Sequence, residues 1–259
     1  MRTMSSYFPK WRCGAGFALI TCVTMTWWMT RDAAAACMPV PPGLIGWWAG
    51  ETNPNDVLGL NNGSVQGGTT FAAGEVGQAF VFDGTNGYAQ VPDATALSPQ
   101  VGQVGEMTLD AWVFMARLPQ FDGPTGQANR AVVVKGSPGN WEYGFEIMTN
   151  GAPFFGVWQS GGNGYTSVSS TNSLSLGTWH HLAGTMRKGV FCRLYVDGQL
   201  VAESTSFSGD TTDGAAPLYF GRRGDGQYFD GAVDEVSLYG RALSSSEVNA
   251  LFGAGTAGK

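Results

Sequence analysis

Short apolar runs separated by Gly, Asn, Asp and Pro recur along most of the chain. The clearest are residues 44–48, 78–82, 87–91, 107–116, 130–135, 143–148, 154–159, 179–186, 190–196, 218–221 and 232–239. Runs of this length and spacing, with no helical pattern between them, predict an antiparallel all-β sandwich or barrel. Asp197-Gly198, between Tyr195-Val196 and Gln199-Leu200-Val201, is the sharpest hairpin signal. One helix is predicted near the end. Ser244 and Glu247 have capping-box spacing, and Val248, Leu251 and Phe252 share a helical face. Residues 253–259 read as a flexible tail.

Alternation assigns faces within the runs. Asp110 and Trp112 point away from Leu109 and Ala111, and Phe154 and Trp158 away from Phe155 and Val157. Asp234 falls with Val236 and Leu238 on an apolar face, and Cys192 with Leu194 and Val196. The last placement predicts a buried free thiol rather than a disulfide from Cys192 to Cys37.

The first residues follow another pattern. Arg2, Lys10 and Arg12 precede an apolar run from Gly14 to Thr30, and Ala33 to Ala36 follow it. This is the order of a secretory signal, so residues 1–36 are expected to be removed. A retained membrane anchor is the alternative; no later run is long enough to span a bilayer. Residues 37–42 form a Pro-rich extended leader. Cys37 as a lipidated N-terminus fits poorly, because Ala34 stands where such signals carry Leu. The expected location is secreted or cell envelope.

The whole chain has 14 basic and 20 acidic residues, a net charge of −6. Loss of residues 1–36 removes four basic residues (Arg2, Lys10, Arg12, Arg31) and only one acidic residue (Asp32), so the remainder is more acidic still. That balance argues against nucleic acid and anionic lipid as partners. Neutral sugars, proteins and hard cations fit it.

Six segments carry a resemblance. They are Gly43-Leu44-Ile45-Gly46-Trp47-Trp48, residues 76–84 (VGQAFVFDG), residues 107–113 (MTLDAWV), Gly177-Thr178-Trp179-His180-His181-Leu182-Ala183, Leu194-Tyr195-Val196-Asp197-Gly198, and residues 231–244. In this order they resemble the laminin-G-like jelly-roll domains of the concanavalin A-like superfamily. The resemblance covers about residues 43–252, with a family core at about 107–247. It implies one antiparallel jelly-roll β-sandwich with a short C-terminal helix. It also implies a binding module, commonly for a glycan or cell-surface glycoprotein and often calcium-dependent.

Three constellations could carry function. Calcium favours carboxylate and amide oxygens; Asp56, Asn61 and Asn62 offer them, and Asp234 would join if the chain ends pair in one sheet. Asp110, Trp112 and Trp158 combine flat rings with a hydroxyl acceptor, as sugar binding requires. Glu142 and Glu146 share one strand face, with Cα atoms about 13 Å apart, and could act as acid and nucleophile of a retaining glycosidase. Gly144 stands where jelly-roll glycosidases place an orienting Asp. A non-catalytic binding module is therefore the main expectation, with the glycosidase and a structural spacer of a surface assembly as alternatives. His180 and His181 point to opposite faces and have no identifiable Ser or Cys partner.

Overall fold

The computed structural model describes residues 39–101, 105–120, 129–160, 164–206 and 208–259. The expected signal and Cys37 lie outside them. Among the described residues no helix is long and apolar enough to cross a membrane.

The strands are Leu44–Trp48 (β1), Ser64–Gln66 (β2), Thr70–Ala73 (β3), Gln78–Asp83 (β4), Tyr88–Val91 (β5), Glu106–Met115 (β6), Arg130–Ser137 (β7) and Asn140–Ile147 (β8). Then come Pro153–Trp158 (β9), Tyr165–Ser169 (β10), Trp179–Arg187 (β11), Phe191–Val196 (β12), Gln199–Ser204 (β13), Leu218–Phe220 (β14) and Asp230–Tyr239 (β15). They form two antiparallel sheets. The first runs β13-β12-β11-β6-β15-β4-β3, with β1 also on β15; the second runs β10-β9-β8-β7-β14-β5-β2. The predicted all-β sandwich is what the chain forms.

The inward faces make one core. Leu109, Ala111 and Val113 of β6 meet Phe145 of β8 and Phe155 and Val157 of β9. Trp48 packs edge-on against Phe220, ring centroids 5.4 Å apart. Phe155 of one sheet lies directly over Gly184 of the other: a Cβ there would sit 2.4 Å from the ring. Cys192 is in this core as expected, and burial pushes its thiol up to about 12.

The Asp197-Gly198 turn has positive φ at both residues, 50° and 73°, as a two-residue hairpin turn demands. The helix Ser245–Ala254 (α1) starts at the predicted capping box: the Ser244 side chain accepts from the Glu247 amide, and the Glu247 carboxylate accepts from the Ser244 amide. Val248 and Leu251 press on Ala183, Tyr195 and Tyr239, on the outer face of the eight-stranded sheet.

The expected flexible tail is corrected. The helix continues to Ala254, a 3-10 turn covers Gly255–Ala257, and the Lys259 side chain is buried against the sheet. The composition of residues 253–259 gave no hint of this, because the anchor is one long side chain.

Candidate functional site

The outer face of the eight-stranded sheet carries Asp110 and Trp112, as alternation predicted. It is not an open ligand face. Asp110 is 0% exposed and Trp112 6%. The Trp112 ring packs on Phe252 of α1 (5.8 Å) and on His181 (5.3 Å). Lys259 Nζ lies 3.2 Å from Asp110 Oδ2, donates to Glu235 O at 2.9 Å and bonds Ser237 Oγ. His181 Nε2 reaches the same Asp110 oxygen at 3.3 Å. The expectation that Asp110 and Trp112 meet ligand is therefore corrected: the helix and Lys259 cover them.

Asp234 is also on this face, which corrects its placement with Val236 and Leu238. Its strand partner is Trp112, whereas Ser237 pairs with Asp110, so the ladder has a bulge between Asp234 and Ser237. Glu235 takes φ +54° in it. The extra residue inverts the parity, so Asp234 faces out while Val236 and Leu238 face the core. The carboxylate is covered by the β3–β4 hairpin, accepting from Val76 N at 2.9 Å through Oδ2, while Oδ1 has no partner. Burial and the nearby Glu235 and Glu51 carboxylates push it up to about 8, against the pull of the hydrogen bond from the Val76 amide.

The predicted calcium donors do not form one set. Asp56, Asn61 and Asn62 share the loop after β1, but Asp56 organises that loop instead of presenting it. Oδ1 accepts from the amides of Trp47 and Leu58, both at 3.0 Å; Oδ2 accepts from Leu60 (3.2 Å) and Asn61 (3.0 Å). Four donors fill about four lone-pair positions. Asn62 Oδ1 is taken by the Asp56 amide, and Asn61 Nδ2 donates to Ile45 O. Asp234 shares none of these partners.

Glu142 and Glu146 are also engaged. Glu142 is fully buried; Lys135 Nζ lies 2.5 Å from its Oε1, and Ser98 Oγ and Gln100 Nε2 donate to its Oε2. Glu146 pairs with Arg223 at 3.1 Å and accepts from Asn129 Nδ2 at 3.2 Å. Neither is a free acid or nucleophile facing a cleft.

His180 does have a serine neighbour, which the sequence reading missed. Ser175 Oγ is 2.7 Å from His180 Nε2, and His180 Nδ1 is 2.8 Å from Asp197 Oδ2. The Ser175 amide also donates to Nε2, and Asp197 Oδ1 accepts from the His181 amide. These bonds fasten the Ser175–His180 loop to the Asp197-Gly198 hairpin. Charge-assisted bonding by His180 holds the Asp197 carboxyl below its ordinary range despite its partial burial.

Trp158 is different. It lies on the outer face of the seven-stranded sheet, with Phe154 and with Tyr165 of the adjacent strand. The Trp158 and Tyr165 rings stack at 5.6 Å and 24°. Phe154 closes the triangle, 6.3 Å from Trp158 and 6.4 Å from Tyr165. Tyr165 is 56% exposed. Gly156 is the floor: a Cβ there would come 2.8 Å from the Phe154 ring and 3.0 Å from Trp158. The missing side chain lets the rings lie down over the strand. Among the three predicted ligand residues, Trp158 alone is partly exposed. Tyr165 was missed because polar residues dominate its strand.

Solved structures with this architecture share little sequence with it. The binding domain of Paraclostridial Mosquitocidal Protein 1 superposes with a TM-score of 0.66 at 19% identity, over 81% of this chain and 52% of that one. Domain 4 of AbnA, a GH43 extracellular arabinanase from Geobacillus stearothermophilus solved with arabinotriose, gives 0.62 at 18%, over 80% and 96%. The binding domain of Botulinum Neurotoxin DC in complex with SialylT gives 0.63 at 13%, over 82% and 51%. By sequence, the sushi, von Willebrand factor type A, EGF and pentraxin domain-containing protein 1 of Rattus norvegicus is 30% identical over 99 residues. That stretch is 34% of this chain and only 3% of the rat protein. The laminin-G-like profile matches residues 83–249. With two antiparallel sheets in jelly-roll order and a profile match over most of its length, the chain belongs to the concanavalin A-like lectin/glucanases superfamily.

Proposed function

We propose that this domain is a non-catalytic binding module that takes a glycan, free or on a surface glycoprotein, on the outer face of its seven-stranded sheet. The observation that carries this reading is the Phe154–Trp158–Tyr165 cluster: three rings on one face, one of them more than half exposed. Large flat apolar rings at a surface suit the C–H face of a sugar, and the indole N–H and phenol O–H can bond its hydroxyls. The opposite sheet is partly covered by α1, and the partly exposed Phe114–Trp179 pair on it (5.6 Å) has no ring as exposed as Tyr165. Similar folds solved with arabinotriose and with SialylT support the ligand class. The engaged carboxylates of Glu142 and Glu146 support binding without turnover.

Export belongs to the same proposal, with residues 1–36 as its signal. Calcium enters it only at Asp234, whose buried unpartnered Oδ1 calls for a proton or a cation; Asp56 has no lone pair to offer.

A glycan array probed with the protein lacking residues 1–36 tests the proposal. At least one glycan should be retained without cleavage, and Trp158→Ala should weaken it by about tenfold or more, ~1.4 kcal/mol. Trp112→Ala, if folded, should bind as the parent does. Retention unchanged by Trp158→Ala would move the site elsewhere. Products released from a retained glycan would restore the glycosidase.

A further inference from the structure

The same sheet face carries a second cluster of opposite character. Antiparallel partners share a face, and the register runs Gly156–Gly144–Val134–Tyr219 from β9 to β14. Three strand spacings place Tyr219 about 14 Å from the Gly156 floor. Between them Arg223 reaches from Trp141, 5.0 Å from its ring, to Glu146. Beyond it stands Arg222. Its guanidinium carbon is 4.6 Å from the Tyr88 ring centroid and 5.5 Å from those of Tyr219 and Tyr228. The rings brace one another, with Tyr88 6.1 Å from Tyr219 and 6.3 Å from Tyr228. All four side chains are partly exposed.

Arg222 lacks an anionic partner among the described residues. Arg117, Arg187, Arg193, Arg223 and Arg241 each lie against a carboxylate. Arg222 lies against none among the described residues; its Nε donates to Arg223 O at 3.2 Å. Its two terminal nitrogens keep their donors, a planar fork matched to a carboxylate. The three rings hold that fork in place and partly exclude water, which strengthens any ion pair made there. Three phenol hydroxyls around the fork can bond the hydroxyls of a sugar.

We infer that Arg222, caged by Tyr88, Tyr219 and Tyr228, is a subsite for the carboxylate of an acidic sugar. The inference rests on the glycan-binding reading and sharpens it. A chain with one uronate residue about 14 Å from the sugar stacked on Trp158 engages both clusters. In a protein of net negative charge, an unpaired arginine is the place where an anionic ligand is accepted rather than repelled.

The test is calorimetric titration of the folded chain with glucuronate and galacturonate hexamers and with their carboxyl-reduced neutral counterparts. At least one uronate should bind about tenfold more tightly than its counterpart, as a charge-assisted bond implies. Arg222→Met, which keeps the stem but not the fork, should abolish that advantage. It should leave melting within about 2 °C of the parent. If Arg222→Met does not fold, Arg222→Lys keeps stem and charge, and the advantage should still fall. A uronate advantage that survives these changes overturns the subsite, and so does its absence from the parent protein. Neutral-hexamer binding without a uronate advantage sinks the cage alone; an advantage with affinities untouched by Trp158→Ala sinks the platform alone. Arg222-dependent binding of a polyglutamate peptide, with no uronate bound, would give Arg222 to a protein partner and contradict the inference.

Discussion

Trp158 and Tyr165 are register partners across the β9–β10 ladder, and their rings stack at 5.6 Å on the face turned away from the core. A non-core aromatic pair adds little to folding and exposes apolar area. Tyr165→Ala should therefore cost within roughly 0.5 kcal/mol of stability, yet weaken glycan binding by about tenfold. Tyr165→Phe, which keeps the ring, should retain most of the affinity. Urea melts beside binding titrations check both; a large stability loss with intact binding would make the pair structural.

Gly184 lies directly under the Phe155 ring of the facing sheet. A methyl group there meets the Phe155 ring at 2.4 Å, and both strands are fixed by neighbours on either side. Gly184→Ala is expected to destabilise by about 1–3 kcal/mol. Pairing it with Phe155→Leu should recover part of that loss, since the clash is with the ring. Equal stability of Gly184→Ala and the parent in chemical denaturation would contradict this packing.

Asp234 should give stability a pH dependence. Its carboxyl titrates near 8 in the folded chain, against an ordinary value of 3.8. The folded state therefore binds the extra proton between about pH 4 and 8, and stability must fall as pH rises through that window. Asp234→Asn should flatten this part of the profile. If calcium neutralises the carboxylate instead, millimolar calcium should raise the melting temperature at pH 8 in the parent but not in Asp234→Asn. Identical melting in EDTA and in calcium would remove calcium from the account.

Lys259 supplies the cation for a carboxylate that is itself fully buried. Lys259→Met keeps the stem and deletes the charge, so it should cost about 3 kcal/mol. Adding Asp110→Asn should restore part of it, because the two changes touch one pair. A loss below about 0.5 kcal/mol would show that His181 alone suffices for Asp110.

Most of this architecture was legible as rhythm. Strict alternation placed Cys192 in the core and Phe154 and Trp158 outside it, and local turn and capping chemistry marked the Asp197-Gly198 hairpin and the start of α1. Alternation failed at Asp234, because a bulge consumes one residue without a compositional mark. It assigned Asp110 and Trp112 correctly to the outer face. It could not say that a helix more than 130 residues later would cover them. Tyr165 and the tyrosines around Arg222 were illegible for a related reason. Their meaning arises from neighbouring strands distant in sequence, which no window along the chain brings together.

The central claim is that ligand meets the Trp158 face and not the Trp112 face. Its most direct test follows the indole N–H resonances of the folded domain by NMR while a glycan retained on the array is added. The Trp158 resonance should shift progressively to saturation, with those of Trp112 and Trp48 unmoved. Saturable shifts at Trp112, with Trp158 unaffected, would contradict the account and place the ligand beneath α1.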